Sequence, residues 1–262
     1  SFPTRRSSDL MSDKLILALD VPDFESAKKL VKDLGNDVQF YKIGLELMAS
    51  GDYFRIIDFL KNNHKKVFAD LKLYDISQTI ARSVKNLAKF EIDLLTIHSA
   101  SRDIMLRASE NKGTMKIVAV TVLTNLNEQD LQEMGFDQAK SLEDLVLKKT
   151  KLALESNLDG VVASSQEAQN LRNKCGQDFL IVTPGIRLEK ILNDDQKRVA
   201  DVKSALASGA SHLVVGRPIT QSENPHLTAQ KFIKLINEFA SNLTTYYNTE
   251  GLSEKGVYNS KI

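Results

Sequence analysis

A single cysteine, Cys175, stands among 262 residues. A lone thiol excludes an intramolecular disulfide and a cysteine-rich metal site. Charge of one sign is not in excess: 35 Lys and Arg against 34 Asp and Glu leave a net +1. Nothing in that balance calls for nucleic acid or an anionic membrane as a partner. No apolar run reaches the length of a membrane span, and the early run Leu15 to Leu19 stops at Asp20. The four histidines, His64, His98, His212 and His226, are scattered without H-x-x-x-H spacing. Nucleophile elbow, Walker loop and zinc-type spacings are absent. No Gly-rich fingerprint follows the first apolar run, which counts against a dinucleotide-binding fold.

What is present is an ordinary globular composition, 42% hydrophobic and 26% charged, and the expected location is cytoplasmic. Residues 1–10 read as a leader foreign to the fold, with Met11 as the natural start. Residues 11–240 read as one domain, and 241–262 as a polar tail that frays. Short apolar runs alternate with helical patterns along this domain. The strands are expected at 15–21, 38–44, 67–73, 94–99, 115–123, 160–163, 179–183 and 212–216. Asp23 is expected to cap the first helix, and the last helix is expected over 227–240. About eight strand–helix alternations in a chain of this length predict a (β/α)₈ TIM barrel.

The most informative stretch is Val67-Phe68-Ala69-Asp70-Leu71-Lys72-Leu73-Tyr74-Asp75-Ile76. Its apolar residues fall on both faces, as in a parallel strand covered on both sides. Strand alternation predicts Asp70 and Lys72 on one face. A barrel gathers the C-terminal ends of its strands at one mouth, where this fold places its chemistry. Asp20, Lys42, Asp70, Lys72 and Asp75 are therefore expected in one pocket, as an alternating network in which each charge lowers the cost of its neighbours. Mg²⁺ is a rival use for Asp70 and Asp75, but Lys42 and Lys72 beside them would repel a cation. His98 is expected to be a packed, hydrogen-bonded histidine supporting the site. Thr121 and Thr124 are modest candidates for a polar ligand edge.

A second constellation suits an anion. Arg187 follows Thr183-Pro184-Gly185, and Arg217 follows Val215-Gly216. The loops after the seventh and eighth strands are the usual phosphate site of this fold. Gly185 and Gly216 would let backbone N–H groups approach, and arginine supplies paired donors. Gln196 would add an amide from the intervening loop.

In Ala18-Leu19-Asp20, Tyr41-Lys42-Ile43-Gly44, Phe68 to Ile76, Thr183 to Arg187 and Val215 to Ile219, the chain resembles the orotidine 5′-phosphate decarboxylase family. The resemblance runs from Leu15 to Ala240. It implies a homodimeric barrel that converts orotidine 5′-monophosphate to uridine 5′-monophosphate and carbon dioxide, the last step of de novo pyrimidine nucleotide synthesis, without cofactor or metal. It implies that Lys72 donates a proton to C6, within a catalytic array of Asp70, Lys72, Asp75 and Lys42. Asp20 and Lys42 would bind ribose hydroxyls, Thr124 the pyrimidine edge, and Gln196, Arg187, Gly216 and Arg217 the phosphate. Asp75 and Thr79 would reach into the neighbouring subunit's site. Where the family often has Asp-Ile-Pro-Asn-Thr, this chain has Asp75-Ile76-Ser77-Gln78-Thr79, which loosens that loop while keeping Asp75 and Thr79. The alternative is a Mg²⁺-dependent sugar-phosphate enzyme of the same superfamily, a hexulose-phosphate synthase or ketogulonate-phosphate decarboxylase. Lys42, where those relatives place an acidic ligand, and the Arg187 loop favour the nucleotide enzyme.

Overall fold

Eight parallel strands close into a barrel in which each pairs with the barrel strands before and after it in the chain and the last closes onto the first. The computed structural model describes residues 13–136, 141–188 and 199–250. The barrel strands are β1 (Leu15–Ala18), β2 (Phe40–Ile43), β3 (Lys66–Leu73), β4 (Leu94–His98), β5 (Lys116–Val120), β6 (Gly160–Val162), β7 (Leu180–Thr183) and β10 (His212–Val215). Between the last two, β8 (Ile186–Arg187) and β9 (Ala200–Asp201) form a separate parallel pair. Among the described residues, no helix is long and apolar enough to cross a membrane.

Strand alternation divides the core in two. Ile16, Ala18, Phe40, Phe68, Leu94, Val118, Val182 and Val214 fill the barrel interior. Their neighbours in the chain, such as Leu15, Leu17, Tyr41, Val67, Ala69, Leu95 and Ile117, point outward into a larger cluster shared with the helices. Burying each Val, Leu, Ile or Phe among these contributes about 1.5–3 kcal/mol. The inward positions of one strand thus read as a ladder, and whatever polar residue ends that ladder faces the mouth.

Gly160 on β6 allows a close approach. A Cβ there would lie 2.1 Å from the carbonyl oxygen of Leu180, its register partner on β7. Only hydrogen fits between those two strands.

The helices start where their capping chemistry stands. Asp23 accepts the Ser26 N–H at 2.8 Å ahead of helix Phe24–Leu34. Asn127 and Asp130 form a reciprocal capping box ahead of Glu128–Glu133. Two helical features depart from the sequence reading. A short helix, Leu45–Ala49, follows β2 directly. The final helix, Pro225–Glu250, runs past the expected end at Ala240. Residues 1–10 lie outside the described residues.

Candidate active site

The inward ladder of β1 is Ile16, Ala18, Asp20, and that of β2 is Phe40, Lys42. Both begin in the apolar interior and end in a charge at the C-terminal mouth. The Leu19 N–H bonds the Lys42 carbonyl at 2.8 Å, which fixes the two ends side by side. On β3 the ladder runs Phe68, Asp70. The result is a chain of alternating charge. Lys42 Nζ lies 2.9 Å from Asp20 Oδ1 and 3.4 Å from Asp70 Oδ2. Lys72 Nζ lies 2.8 Å from Asp70 Oδ1.

Lys72 reaches this chain differently from the way alternation predicts. From Ala69 to Leu73 the register of β3 advances four residues while β4 advances two, from Leu95 to Ile97. Lys72 sits in that bulge with φ +47°, the left-handed region that a side chain rarely adopts. Asp70 and Lys72 do meet, but through a bulged backbone. The bulged N–H of Lys72 donates to Thr96 Oγ1 at 2.9 Å, and Thr96 Oγ1 donates to Asp70 Oδ1 at 2.9 Å.

Burial alone would push the Asp70 carboxyl upward. The ammonium groups of Lys42 and Lys72, with hydrogen bonds from Lys72 and Thr96, outweigh it and hold the group below the usual carboxylate range. Burial pulls Lys42 down, yet Asp70 and Asp20 more than compensate, and its ammonium is held above the ordinary lysine value. Both ions therefore stay charged near neutrality. Each is about an eighth exposed, 13% for Asp70 and 12% for Lys42, and so is strongly coupled to the other.

A cavity of about 600 Å³ opens over this array. Asp20, Lys42, Asp70 and Lys72 line one side. Thr124 and Asn125 line a second, and Pro184, Gly185, Arg187, Gly216 and Arg217 a third. Its floor is the top of the apolar ladders: Ala18, Phe68, Val120, Val162, Val182 and Val214. The size suits a ligand of nucleotide dimensions. Arg187 is buried, with Nη1 donating to the Ile186 carbonyl at 3.0 Å. A Cβ on Gly216 would meet Ala18 Cβ at 3.4 Å, so the backbone there lies close against the rim.

Other expected residues fall elsewhere. Asp75 does not line this cavity. The strand ends at Leu73, the chain turns outward, and the exposed Asp75 carboxylate accepts its neighbour's Ile76 N–H at 2.6 Å. The expectation of five charges in one pocket is corrected to four within one chain. Thr79 lies in the first turn of helix Ser77–Leu87, also outside the cavity lining. Thr121 faces the other way, buried with its hydroxyl 3.3 Å from the Val162 carbonyl. His98 packs edge-on against Tyr74, ring centroids 5.9 Å apart. Burial, then Lys149 and Lys72, lower its pKa against the pull of Asp70, which favours the neutral ring. Gln196 lies outside the described residues. Thr96 escaped the sequence reading, although the alternation Leu94-Thr96-His98 carries it to the mouth. Among the described residues, no group of three or more His, Cys, Asp or Glu is arranged to hold a metal.

Three comparisons bear on this site. The model of the family described as "Orotidine 5'-phosphate decarboxylase / HUMPS family" matches residues 13–232. An orotidine 5'-phosphate decarboxylase of Methylococcus capsulatus is 46% identical over 222 residues, 84% of this chain and 90% of that relative. One from Carboxydothermus hydrogenoformans is 45% identical over 234 residues, 86% of this chain and 96% of that relative. The crystal structure of orotidine 5'-phosphate decarboxylase from Lactobacillus acidophilus superposes with a TM-score of 0.75 at 33% identity. It covers 86% of this chain and 99% of its own.

Proposed function

The chain belongs to the orotidine 5′-phosphate decarboxylase / HUMPS family, and from that premise we propose that it decarboxylates orotidine 5′-monophosphate to uridine 5′-monophosphate and carbon dioxide. The observation that carries the reading is the alternating chain Asp20, Lys42, Asp70, Lys72 along one side of a cavity whose other side holds Arg187 and Arg217. A nucleotide bearing both a carboxylate and a phosphate spans such a cavity.

The chemistry follows from the charges. When the C6–carboxylate bond breaks, its electron pair stays on C6 and carbon dioxide leaves. The Lys72 ammonium stabilises that developing charge, then gives C6 a proton and becomes an amine, which solvent reprotonates. Asp70 lies beside the departing carboxylate, and their repulsion is relieved as carbon dioxide leaves. The same Asp70 holds Lys72 in place, at 2.8 Å. Lys42 and Asp20 take the ribose hydroxyls and Thr124 the pyrimidine edge. Arg187, Arg217, the backbone at Gly216 and Gln196 take the phosphate. Binding energy gathered at the phosphate, far from C6, is spent on the transition state.

The reaction needs no metal on this reading. The Lys42 ammonium already stands between the carboxylates of Asp20 and Asp70, where a cation would have to bind. The sugar-phosphate alternative loses support for that reason.

The working unit is a homodimer. Tyr74 is 71% exposed, Ile76 69% and Leu45 60%, and they follow the C-terminal ends of the paired strands β3 and β2. Exposed apolar residues gathered in this way mark a protein interface. Asp75 and Thr79, outside their own chain's cavity, would complete the neighbouring subunit's site. We place the enzyme in the cytoplasm, which suits a chain with one free thiol.

The test is the loss of orotidine 5′-monophosphate absorbance with purified protein, with and without EDTA. Decay unaffected by chelation is expected. No decay, or decay abolished by EDTA, sinks the reading.

A further inference from the structure

Resting on the decarboxylase reading, Lys72 must be held aimed at C6. Its backbone is in the left-handed region, φ +47°, where the Cβ of an L-residue crowds the following carbonyl oxygen. Its N–H also falls inside the bulge, where the ladder to β4 is interrupted. A buried N–H in that position needs another acceptor.

Thr96 supplies it. The residue is fully buried, at 0% exposure, on the inward ladder of β4. Its Oγ1 accepts the Lys72 N–H at 2.9 Å and donates to Asp70 Oδ1 at 2.9 Å. That Oδ1 also accepts Lys72 Nζ at 2.8 Å. The backbone N–H can only donate and the ionised carboxylate can only accept, so the hydroxyl hydrogen has one orientation. The backbone and the ammonium of one lysine are thus tied to a single hydroxyl–carboxylate pair.

We propose that Thr96 is a positioning residue for proton transfer: its hydroxyl locks the left-handed backbone of Lys72 to the Asp70 carboxylate, so that the ammonium is aimed at C6 before substrate arrives. Thr96 does not touch substrate in this scheme. It acts through Lys72 and Asp70, and the phosphate contacts across the cavity do not involve it.

Thr96→Val keeps the volume and branching and removes the hydroxyl, whereas Thr96→Ser keeps the hydroxyl. In Thr96→Val, kcat is expected to fall about 10²-fold, as for a small misplacement of a catalytic group. KM should stay within about threefold, because ground-state binding is untouched. The acid limb of kcat should move to higher pH, since Asp70 loses a hydrogen bond that favours its ionised form. Thr96→Ser should recover most of kcat and the original limb. Calorimetric binding of uridine 5′-monophosphate should be unchanged in both. Wild-type kcat in Thr96→Val overturns the assignment, as does a Thr96→Ser variant equally slow, or a Thr96→Val variant that no longer binds the product. Should Thr96→Val not fold, Thr96→Cys decides, because a thiol is a poor donor and acceptor of similar size. A kcat for it well below that of Thr96→Ser supports the proposal, and an equal kcat overturns it. A wild-type chain without turnover would instead overturn the decarboxylase reading beneath it.

Discussion

Lys72 Nζ lies 2.8 Å from Asp70 Oδ1 although the register of β3 slips across the stretch that carries them both. The pair is made by a departure from strand geometry. Lys72→Ala should leave the fold intact, since the side chain lines the cavity and is about a third exposed, and Lys42 stays beside the Asp70 carboxylate. It should cut kcat by at least about 10⁴-fold, the combined loss of a proton donor and of a preorganised charge. Single-turnover kinetics with a thermal melt check both halves, and near-wild-type turnover removes Lys72 from the proton-donor role.

Asp70 gives a pH-dependent stability. Its folded pKa is depressed, so its contribution is fully present above the unfolded carboxylate value and is lost as pH falls through the folded one. The wild-type melting temperature should begin to fall below about pH 4, the unfolded Asp value. In Asp70→Asn that component of the acid titration disappears. The variant should also be less stable at neutral pH by about 3 kcal/mol, because Lys42 and Lys72 then face each other without the charge between them. Equilibrium denaturation across pH 2–8 reads both effects.

Arg217→Ala should weaken ground-state and transition-state binding together. Losing a charge-assisted contact costs about 1.5–3 kcal/mol, so kcat/KM should fall roughly 10- to 100-fold. An unchanged kcat/KM with orotidine 5′-monophosphate takes Arg217 out of the site.

If Asp75 serves the neighbouring subunit, two inactive variants should rescue each other. Lys72→Ala mixed with Asp75→Asn, then dissociated and reassociated, gives heterodimers with one site lacking both groups and one intact. Random pairing should restore about a quarter of wild-type activity. Ile76→Asp, which charges the exposed apolar rim, should shift the mass measured by light scattering toward monomer and reduce turnover in parallel. A mixture as inactive as its parents would confine Asp75 to its own chain.

Gly160→Ala tests the packing between β6 and β7. The added methyl would stand 2.1 Å from the Leu180 carbonyl oxygen, so the strands must separate. A loss of about 1–3 kcal/mol is expected by urea denaturation, and a neutral variant would show that the barrel yields there freely.

The array was legible in the sequence to the extent that regular geometry makes it. Asp20, Lys42 and Asp70 each continue an apolar ladder of period two, and the barrel closes those ladders onto one mouth. Asp75 could not be placed by that rule, because it lies beyond Leu73, where the chain has left the strand. Thr96 carries no signal of its own in the sequence, because a threonine inside an apolar strand fits the strand without any further role. Only the bulge opposite, which alternation does not foresee, gives its hydroxyl a task. The final helix runs past its expected end at residue 240. The residues after Ala240 are polar, but neither glycine nor proline interrupts them before Gly251.

The left-handed backbone at Lys72 also bears on how such a protein can change over generations. Glycine is the residue that position accepts most readily, and substitutions that relax a left-handed site commonly stabilise a chain. A glycine there would relax the backbone but take one of its two ammonium neighbours from the buried Asp70 carboxylate, so strain and charge pairing pull on this position in opposite directions. In a descendant released from the decarboxylation reaction, a glycine at position 72 should become tolerable only after position 70 has lost its carboxylate.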